Sequence, residues 1–314
     1  MAKYLVTGGA GFIGCNLARF LLKKGHDVVV LDNFSTGKPE NIAAIRKDIT
    51  FIRGDIRNRK ACDKAVQGCK AVFHEAALGS VPRSVDDPVT SHDVNVNGTI
   101  NVLEACRAAG VKRVIFAASS SAYGDQPKSP KHEGMVPAPI SPYASSKICC
   151  EAYLQAYAAC FGMQTLCLRY FNVFGPHQDP LGAYAAVIPA FVSRILKKER
   201  PIVFGDGEQS RDFCFIENVC QANYLAASAP AAACKGQAIN IACNRATTLN
   251  QILTKIQGLL GSDIKPIYKP MRKGDVKDSL ADISLANKTI GYKPAVFFEQ
   301  GLERAIDWYK ANLA

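Results

Sequence analysis

The chain lacks what would place it in a membrane, a disulfide scaffold or a metal site. No apolar run approaches the roughly 18 residues needed to span a bilayer. Its start, "MAKYLVTGGAGF", enters a strand pattern directly, without the basic, apolar and small-residue segments of a signal peptide. A cytoplasmic protein without membrane contact is expected. The twelve cysteines form no CxxC pair. They are scattered through apolar or helical surroundings, as at Cys15, Cys106, Cys160, Cys167, Cys214 and Cys243, the setting of buried free thiols. Five histidines (His26, His74, His92, His132, His177) stand apart from them, so finger-like ligand spacing is missing and no metal is expected. A long basic run is missing too. The formal charge of +11 arrives in pairs such as "LLKKGH" and "ILKKER", not interleaved with aromatics, which argues against a nucleic-acid surface and suits small phosphorylated ligands.

What the chain does have is an ordinary globular composition, 48% apolar and 21% charged, over 314 residues. That is room for one large α/β domain or two unequal ones. β-Branched runs alternate with helical patterns: "KYLVTG", "FIGCNLARFLLKKG", "DVVVLDN", "ITFIRGD", "KAVFHEAA", "KRVIFAASS". Buried parallel strands with crossover helices read this way, and the expected fold is a doubly wound parallel sheet of the Rossmann kind. Gly25, Gly110 and Gly162 stand where left-handed C-caps belong. After "TLCLRYFNVFG" the alternation loosens. We therefore expect a dinucleotide domain over residues 1–175, with strand and helix returns around 214–243. A smaller α/β substrate domain is expected from 176–213 and 244–314.

"VTGGAGFIG" sets Gly8, Gly11 and Gly14 between the first strand and the first helix. Glycines there permit a tight turn and close approach of a pyrophosphate to the helix N-terminus. Alone, such a loop is also a purely structural solution. The second strand, however, ends in Asp32, about 20 residues past the loop, where a carboxylate accepts from adenosine ribose hydroxyls and repels a 2′-phosphate. Only Lys38 lies near enough to offset that repulsion, so NAD is favoured over NADP. Asp55 and Ile56 end the third strand as adenine contacts, though Asp after a strand is also a common turn residue.

"SPYASSK" places Ser141 as an N-cap, Pro142 at the first helical position, and Tyr143 and Lys147 one turn apart on one face, roughly 5–6 Å between Cβ atoms. A cation beside a phenol and the positive end of a helix both favour phenolate, which would turn a group of ordinary pKa near 10 into a usable base. In isolation this is equally a surface pair. What raises it is "FAASSSAYG", which delivers Ser119, Ser120 and Ser121 to the C-terminal edge of the sheet, where ligands of open parallel sheets bind.

Together the glycine loop, the Ser119 strand end and the Tyr143/Lys147 pair resemble the extended short-chain dehydrogenase/reductase family. Within it the chain is most similar to the UDP-glucose 4-epimerase type, and especially to UDP-N-acetylglucosamine 4-epimerases. The resemblance spans the chain, with "GSVPRSVDDP", "DVNVNGT", "LRYFNVFGPHQDP", "GDGEQSRDF" and "RKGDVKDSLADIS" as its sharper motifs. It implies a sugar 4-epimerase in which Tyr143 is the base, Ser119 bonds the same sugar oxygen and Lys147 holds the nicotinamide ribose. It further implies NAD contacts at Phe12, Ile13, Asn33, Ser35, Gly37, Ala76, Asn95 and Tyr170, beside Gly8, Gly11, Gly14, Asp32, Asp55 and Ile56.

UDP-sugar contacts follow at Ser80, Ser120, Ser121, Asn172, Gln178, Val187, Phe204, Arg211, Arg272, Asp275 and Ser279. Two arginines suit a diphosphate, and Asp275 suits the uridine ribose. Arg211 could equally pair with its neighbour Asp212, and Phe204 could equally be core. Ser120 and Ser121 stand where dehydratase relatives carry acids, which disfavours loss of water. Ser279 stands where glucose/galactose-restricted enzymes carry a tyrosine, which would leave room for a 2-acetamido group, although a turn residue would look the same. The resemblance also implies a homodimer through helices around 88–109 and 143–160. Competing readings are a non-catalytic dinucleotide-binding regulator, a hexose-only UDP-glucose 4-epimerase, and an enzyme acting on UDP-glucuronate with Arg83 or His177 near the sugar C6.

Overall fold

The computed structural model describes residues 1–179, 186–271 and 278–313. Six strands run to residue 170: β1 (Lys3–Thr7), β2 (Asp27–Asp32), β3 (Ile49–Arg53), β4 (Ala71–His74), β5 (Arg113–Ser119) and β6 (Gln164–Tyr170). Short strands follow: β7 (Val173–Phe174), β8 (Ile202–Phe204), β9 (Ser210–Asp212) and β10 (Cys214–Phe215). Then come β11 (Lys235–Ile241), β12 (Ala246–Thr248), β13 (Ile267–Lys269) and β14 (Asp278–Ser279). The helices of the first half are α1 (Phe12–Lys23), α2 (Glu40–Ala43), α3 (Arg59–Ala65), α4 (Val81–Asp86), α5 (Pro88–His92), α6 (Gly98–Ala108) and α7 (Pro142–Phe161). Those of the second half are α8 (Val187–Leu196), α9 (Ile216–Ser228), α10 (Leu249–Leu260), α11 (Ser284–Ile290) and α12 (Phe298–Leu313).

The central sheet has seven parallel strands in the order β11-β6-β5-β4-β1-β2-β3. The middles of its strands are apolar on both faces because successive side chains enter different cores. Tyr4, Val6, Val28, Val30, Phe73 and Ile115 pack on the face covered by α1 and α9. Leu5, Val29, Leu31, Val72, Val114 and Phe116 pack on the face covered by α3, α6 and α7. The return of the chain after residue 213 is a crossover: α9 leads into β11, which extends the sheet beside β6. Gly25, Gly110 and Gly162 all take positive φ just past helix ends, as their placement in the sequence anticipates.

Strand order reverses between β1 and β4: from β1 the chain builds outward to β2 and β3, and from β4 outward to β5, β6 and β11. Loops leaving these two strands therefore diverge, opening a crevice at their C-terminal ends. The later segments form small sheets, one ordered β12-β9-β14 and one pairing β13 with β8. In the first, Ser279 lies directly beside Arg211 in parallel register, joining residues far apart in sequence.

Candidate active site

The crevice at the switch point is a cavity of about 1050 Å³. Gly8, Gly11, Phe12, Ile13 and Gly14 line it from the β1–α1 turn, and Asp32, Asn33 and Ser35 from the end of β2. Asp55, Ile56, Ala76 and Ser80 line it from the loops after β3 and β4, and Tyr143, Lys147, Tyr170 and Gln178 close it. At Gly8, φ is +67°, and a Cβ there would come within 2.8 Å of the Ala76 backbone. Glycine is thus required both for the turn and for the close approach of the two loops. Gly37, in the loop after β2, abuts Ala10 of the β1–α1 turn: a Cβ on it would meet the Ala10 backbone at 2.8 Å.

Asp32 is buried, and each of its carboxylate oxygens accepts one backbone N–H, from Ala10 at 2.9 Å and from Phe34 at 2.7 Å. Lone pairs remain on both oxygens for a pair of vicinal hydroxyls. Lys38, the one cation expected to soften Asp32 toward a 2′-phosphate, is engaged with Asp179 at 2.9 Å. Asp55 accepts from Asn33 Nδ2 at 2.9 Å and from Arg57, whose hydrogen bonds hold its carboxyl below the usual carboxylate range.

Helix α7 starts as the sequence anticipates. Ser141 Oγ accepts from the Ala144 amide at 3.2 Å, and Pro142 occupies the first turn. Lys147 is 3% exposed and donates to the Ala117 carbonyl at 2.7 Å. Its ammonium lies 4.7 Å from the Phe116 ring centroid and 5.9 Å from that of Tyr143. A buried ammonium is tolerable only with such partners. The Tyr143 amide is tied to Ser84 Oγ at 3.0 Å, which fixes the first turn of α7 against α4.

A chain of hydrogen bonds stiffens the floor. Thr7 Oγ1 accepts from the Ala76 amide at 3.2 Å and meets His74 Nδ1 at 2.7 Å. The other ring nitrogen of His74 meets Thr99 Oγ1 at 3.0 Å. Burial, with Lys147 adding to it, drives His74 down to about 3, so it is a neutral strut. Asn95, expected at the cofactor, spends its side chain otherwise. It accepts from the Leu78 amide at 2.8 Å and donates to the Leu78 carbonyl and Ser146 Oγ, so it shapes the 76–80 loop from behind.

The remaining expected residues do not line this cavity. Ser119 caps the turn that follows β5, its Oγ accepting from the Ser121 amide and hydroxyl at 3.2 and 2.9 Å, with Ser120 between them. Asn172, in a left-handed conformation, donates to the Asp212 carbonyl at 3.1 Å. Val187 opens α8, Phe204 ends β8, and Arg211 and Ser279 sit side by side on β9 and β14. Arg272 and Asp275 lie outside the described residues. Arg211 and Asp212 diverge as strand neighbours must. Asp212 turns inward to accept from the amides of Cys243 and Ala281. Among the described residues no cluster could hold a metal ion, and no helix is long and apolar enough to cross a membrane.

The cavity also has walls for which the sequence carried no motif. Glu75 adjoins Ala76, and Trp308, Asn312 and Leu313 arrive from α12 at the far end of the chain. His177 packs against Trp308 with the rings tilted, centroids 5.1 Å apart, which brings α12 to the loop after β7.

A glycine-turned helix N-terminus facing a carboxylate at the next strand end, with a tyrosine–lysine pair at the opposite wall, is a site for a dinucleotide and a hydroxyl substrate. The NAD dependent epimerase/dehydratase family matches residues 4–242. The chain belongs to that family. It is 37% identical over 310 residues to a putative UDP-glucose 4-epimerase of Methanocaldococcus jannaschii, covering 98% of both chains. Among solved structures it is similar to a UDP-N-acetylglucosamine 4-epimerase from Methanobrevibacter ruminantium M1, in complex with UDP-N-acetylmuramic acid. The identity is 39%, the TM-score 0.93, and 99% of this chain and 98% of that one are covered. A UDP-glucose 4-epimerase of Thermotoga maritima with UDP-glucose matches at 37% identity and TM-score 0.93, over 99% and 100%.

The protein is therefore an NAD-dependent nucleotide-sugar 4-epimerase of the extended short-chain dehydrogenase/reductase type. The donor and acceptor set around Asp32 and the glycine turn fits NAD. Asp32→Asn keeps the shape while removing the charge and one acceptor. It should weaken NAD binding by about tenfold or more, the worth of charge-assisted hydrogen bonds. It should also move the NADP-to-NAD affinity ratio toward NADP. Titration of both dinucleotides into variant and parent protein measures this, and an unchanged ratio would remove Asp32 from the discrimination.

Proposed function

We propose that this enzyme interconverts UDP-GlcNAc and UDP-GalNAc, and UDP-glucose and UDP-galactose as well. Tyr143 takes the proton from the sugar 4-hydroxyl and returns it after the sugar has turned in the site. Lys147, held on the Ala117 carbonyl, supplies the positive charge beside the phenol and anchors the nicotinamide ribose. Ser119, at the end of β5 two residues past Ala117, bonds the same sugar oxygen. Bound NAD supplies a reversible hydride acceptor at C4. Ser120 and Ser121 offer no carboxyl to drive loss of water, so the hydride returns to C4 and the net change is inversion there.

The acetamido preference rests on one observation: Ser279 is the strand neighbour of Arg211, the residue we assign to the diphosphate. A side chain that small beside the nucleotide anchor leaves space where a tyrosine would crowd a 2-acetamido group. Arg272 and Asp275 complete the nucleotide contacts in this reading, with Asn172, Phe204, Val187, Gln178 and Ser80 around the sugar and base. The 39% identical relative that is itself a UDP-N-acetylglucosamine 4-epimerase supports the same substrate. A second reading, action on UDP-glucuronate, draws on Arg83 and His177, which both line the cavity.

Relative turnover on UDP-GlcNAc, UDP-glucose, UDP-galactose and UDP-glucuronate tests the assignment. UDP-GalNAc should form from UDP-GlcNAc, and its absence at equilibrium refutes the proposal. Tyr143→Phe should lower turnover by roughly 10²–10⁴, the range for loss of a positioned acid–base group, while NAD stays bound. Ser279→Tyr should suppress the acetamido pair well before the hexose pair, and equal loss of both sinks the gate. Discrimination by one such steric contact is worth roughly 10–200-fold.

For assembly we infer a homodimer. α7 exposes Tyr153 and Phe161, and α5, packed beside it, exposes Val89 at 77%. Large apolar residues gathered on one helical layer are the mark of an interface. Light scattering should return twice the mass of 33.9 kDa. A monomer at micromolar concentration would refute it.

A further inference from the structure

One charged group in the cavity wall has no part in the chemistry above. Glu75 follows β4 directly, and its carboxyl lies among groups from three other elements. Its Oε1 is 2.9 Å from the phenol of Tyr170, at the end of β6. That phenol also accepts from Asn223 Nδ2 of α9 at 2.8 Å, so its own proton goes to Glu75. Oε2 is buried and has no hydrogen-bond partner. The other titratable groups in electrostatic reach are the Lys147 ammonium of α7 and the Cys220 thiol of α9, with Cys15 of α1 next to Cys220.

A buried carboxyl with one oxygen bonded and the other unmatched is an expensive place for a permanent charge. Glu75 nevertheless lines the cavity, and the glycine turn closely approaches its backbone: a Cβ on Gly8 would come within 3.1 Å of the Glu75 carbonyl carbon. We propose that Glu75, reaching from β4 into the cavity wall with one oxygen on Tyr170 and the other unpartnered, sets the balance between oxidised and reduced forms of the bound dinucleotide. The inference rests on the reading that puts the nicotinamide end at Lys147.

The two forms differ by one positive charge, carried on the oxidised ring. An ionised Glu75 attracts that charge and favours the oxidised form, whereas a protonated Glu75 is indifferent to it. An epimerase must hand a hydride out and take it back on one site, so neither form can be strongly preferred. Burial pushes the Glu75 carboxyl up to about 7, against the smaller pull of the Tyr170 hydrogen bond and of Lys147. Its charge therefore changes within the working range of pH. The sign follows: below about 7 the acid is neutral and the reduced form is held relatively better, and as pH rises through that point the oxidised form gains.

The test needs no sugar, so it stays readable if the epimerase assignment fails. Enzyme is equilibrated with mixtures of NAD and NADH, and the ratio bound is measured from pH 6 to pH 8.5. In the parent protein the bound NADH-to-NAD ratio should fall as pH rises, by about tenfold overall, one unit of differential proton affinity. Glu75→Gln should hold the low-pH ratio throughout, and so exceed the parent about tenfold at pH 8.5. A parent ratio that does not change with pH overturns the proposal, as does a variant that titrates like the parent. Tyr170→Phe provides a second arm that does not depend on Glu75→Gln folding. It removes the donor that favours the carboxylate, so the inflection should move to higher pH, and an unmoved inflection is equally fatal.

Discussion

Everything at this site depends on how closely the loops leaving β1 and β4 approach each other. Strand order reverses between these two strands, so their loops part to open the cavity, yet at Gly8 and Ala76 the backbones nearly touch. The Ala76 amide is held to Thr7, Thr7 to His74, and His74 to Thr99, so the ends of both strands and the start of α6 form one hydrogen-bonded unit. A charged histidine in that chain would strand a proton in the core, and burial keeps it neutral. The glycine turn is therefore pinned from beneath, and its amides are aimed before any ligand arrives.

The opposite wall is built on another buried group. Lys147 reaches the cavity only because α7 is capped by Ser141, tied to α4 through Ser84, and laid across β5, where the Ala117 carbonyl receives the ammonium. The aromatic face of Phe116 supplies the rest of its solvation. A lysine so held cannot wander to solvent, and its charge stays beside the Tyr143 ring. The cavity thus joins a floor fixed by β1 and β4 to a wall fixed by β5 and α7.

How much of this was legible in the sequence varied with the distance over which it is encoded. Strand-end glycines, Asp32, the Ser141 cap and the Tyr143/Lys147 spacing are local patterns, and the dinucleotide half of the cavity follows from them. Asn95 shows the limit: its motif marks it as important, but only the fold reveals that it braces Leu78 from behind the cavity. Trp308 and Asn312 had no signal at all, because α12 reaches the cavity by tertiary packing over almost the whole chain length. Glu75 sat in plain view beside a strand end, yet a single acid there reads as a turn residue until Tyr170 and Asn223 are seen around it.

On the substrate side the same logic recurs with a carboxylate as the pin. Asp212 is fully buried, and burial pushes its carboxyl up to about 6 despite backbone amides from Cys243, Asn244, Arg245 and Ala281 that oppose the rise. Those amides come from the loop after β11 and from the segment after β14, so one side chain gathers two separate stretches of chain around β9. Because Asp212 points inward, its strand neighbour Arg211 points the other way, next to Ser279. The side-by-side placement of Arg211 and Ser279 is thus set by Asp212, whose own carboxyl is spent on backbone amides. β9 and β14 run in parallel register at Arg211 and Ser279, and Asp212 ties this small sheet to the end of β11 by accepting the Cys243 amide.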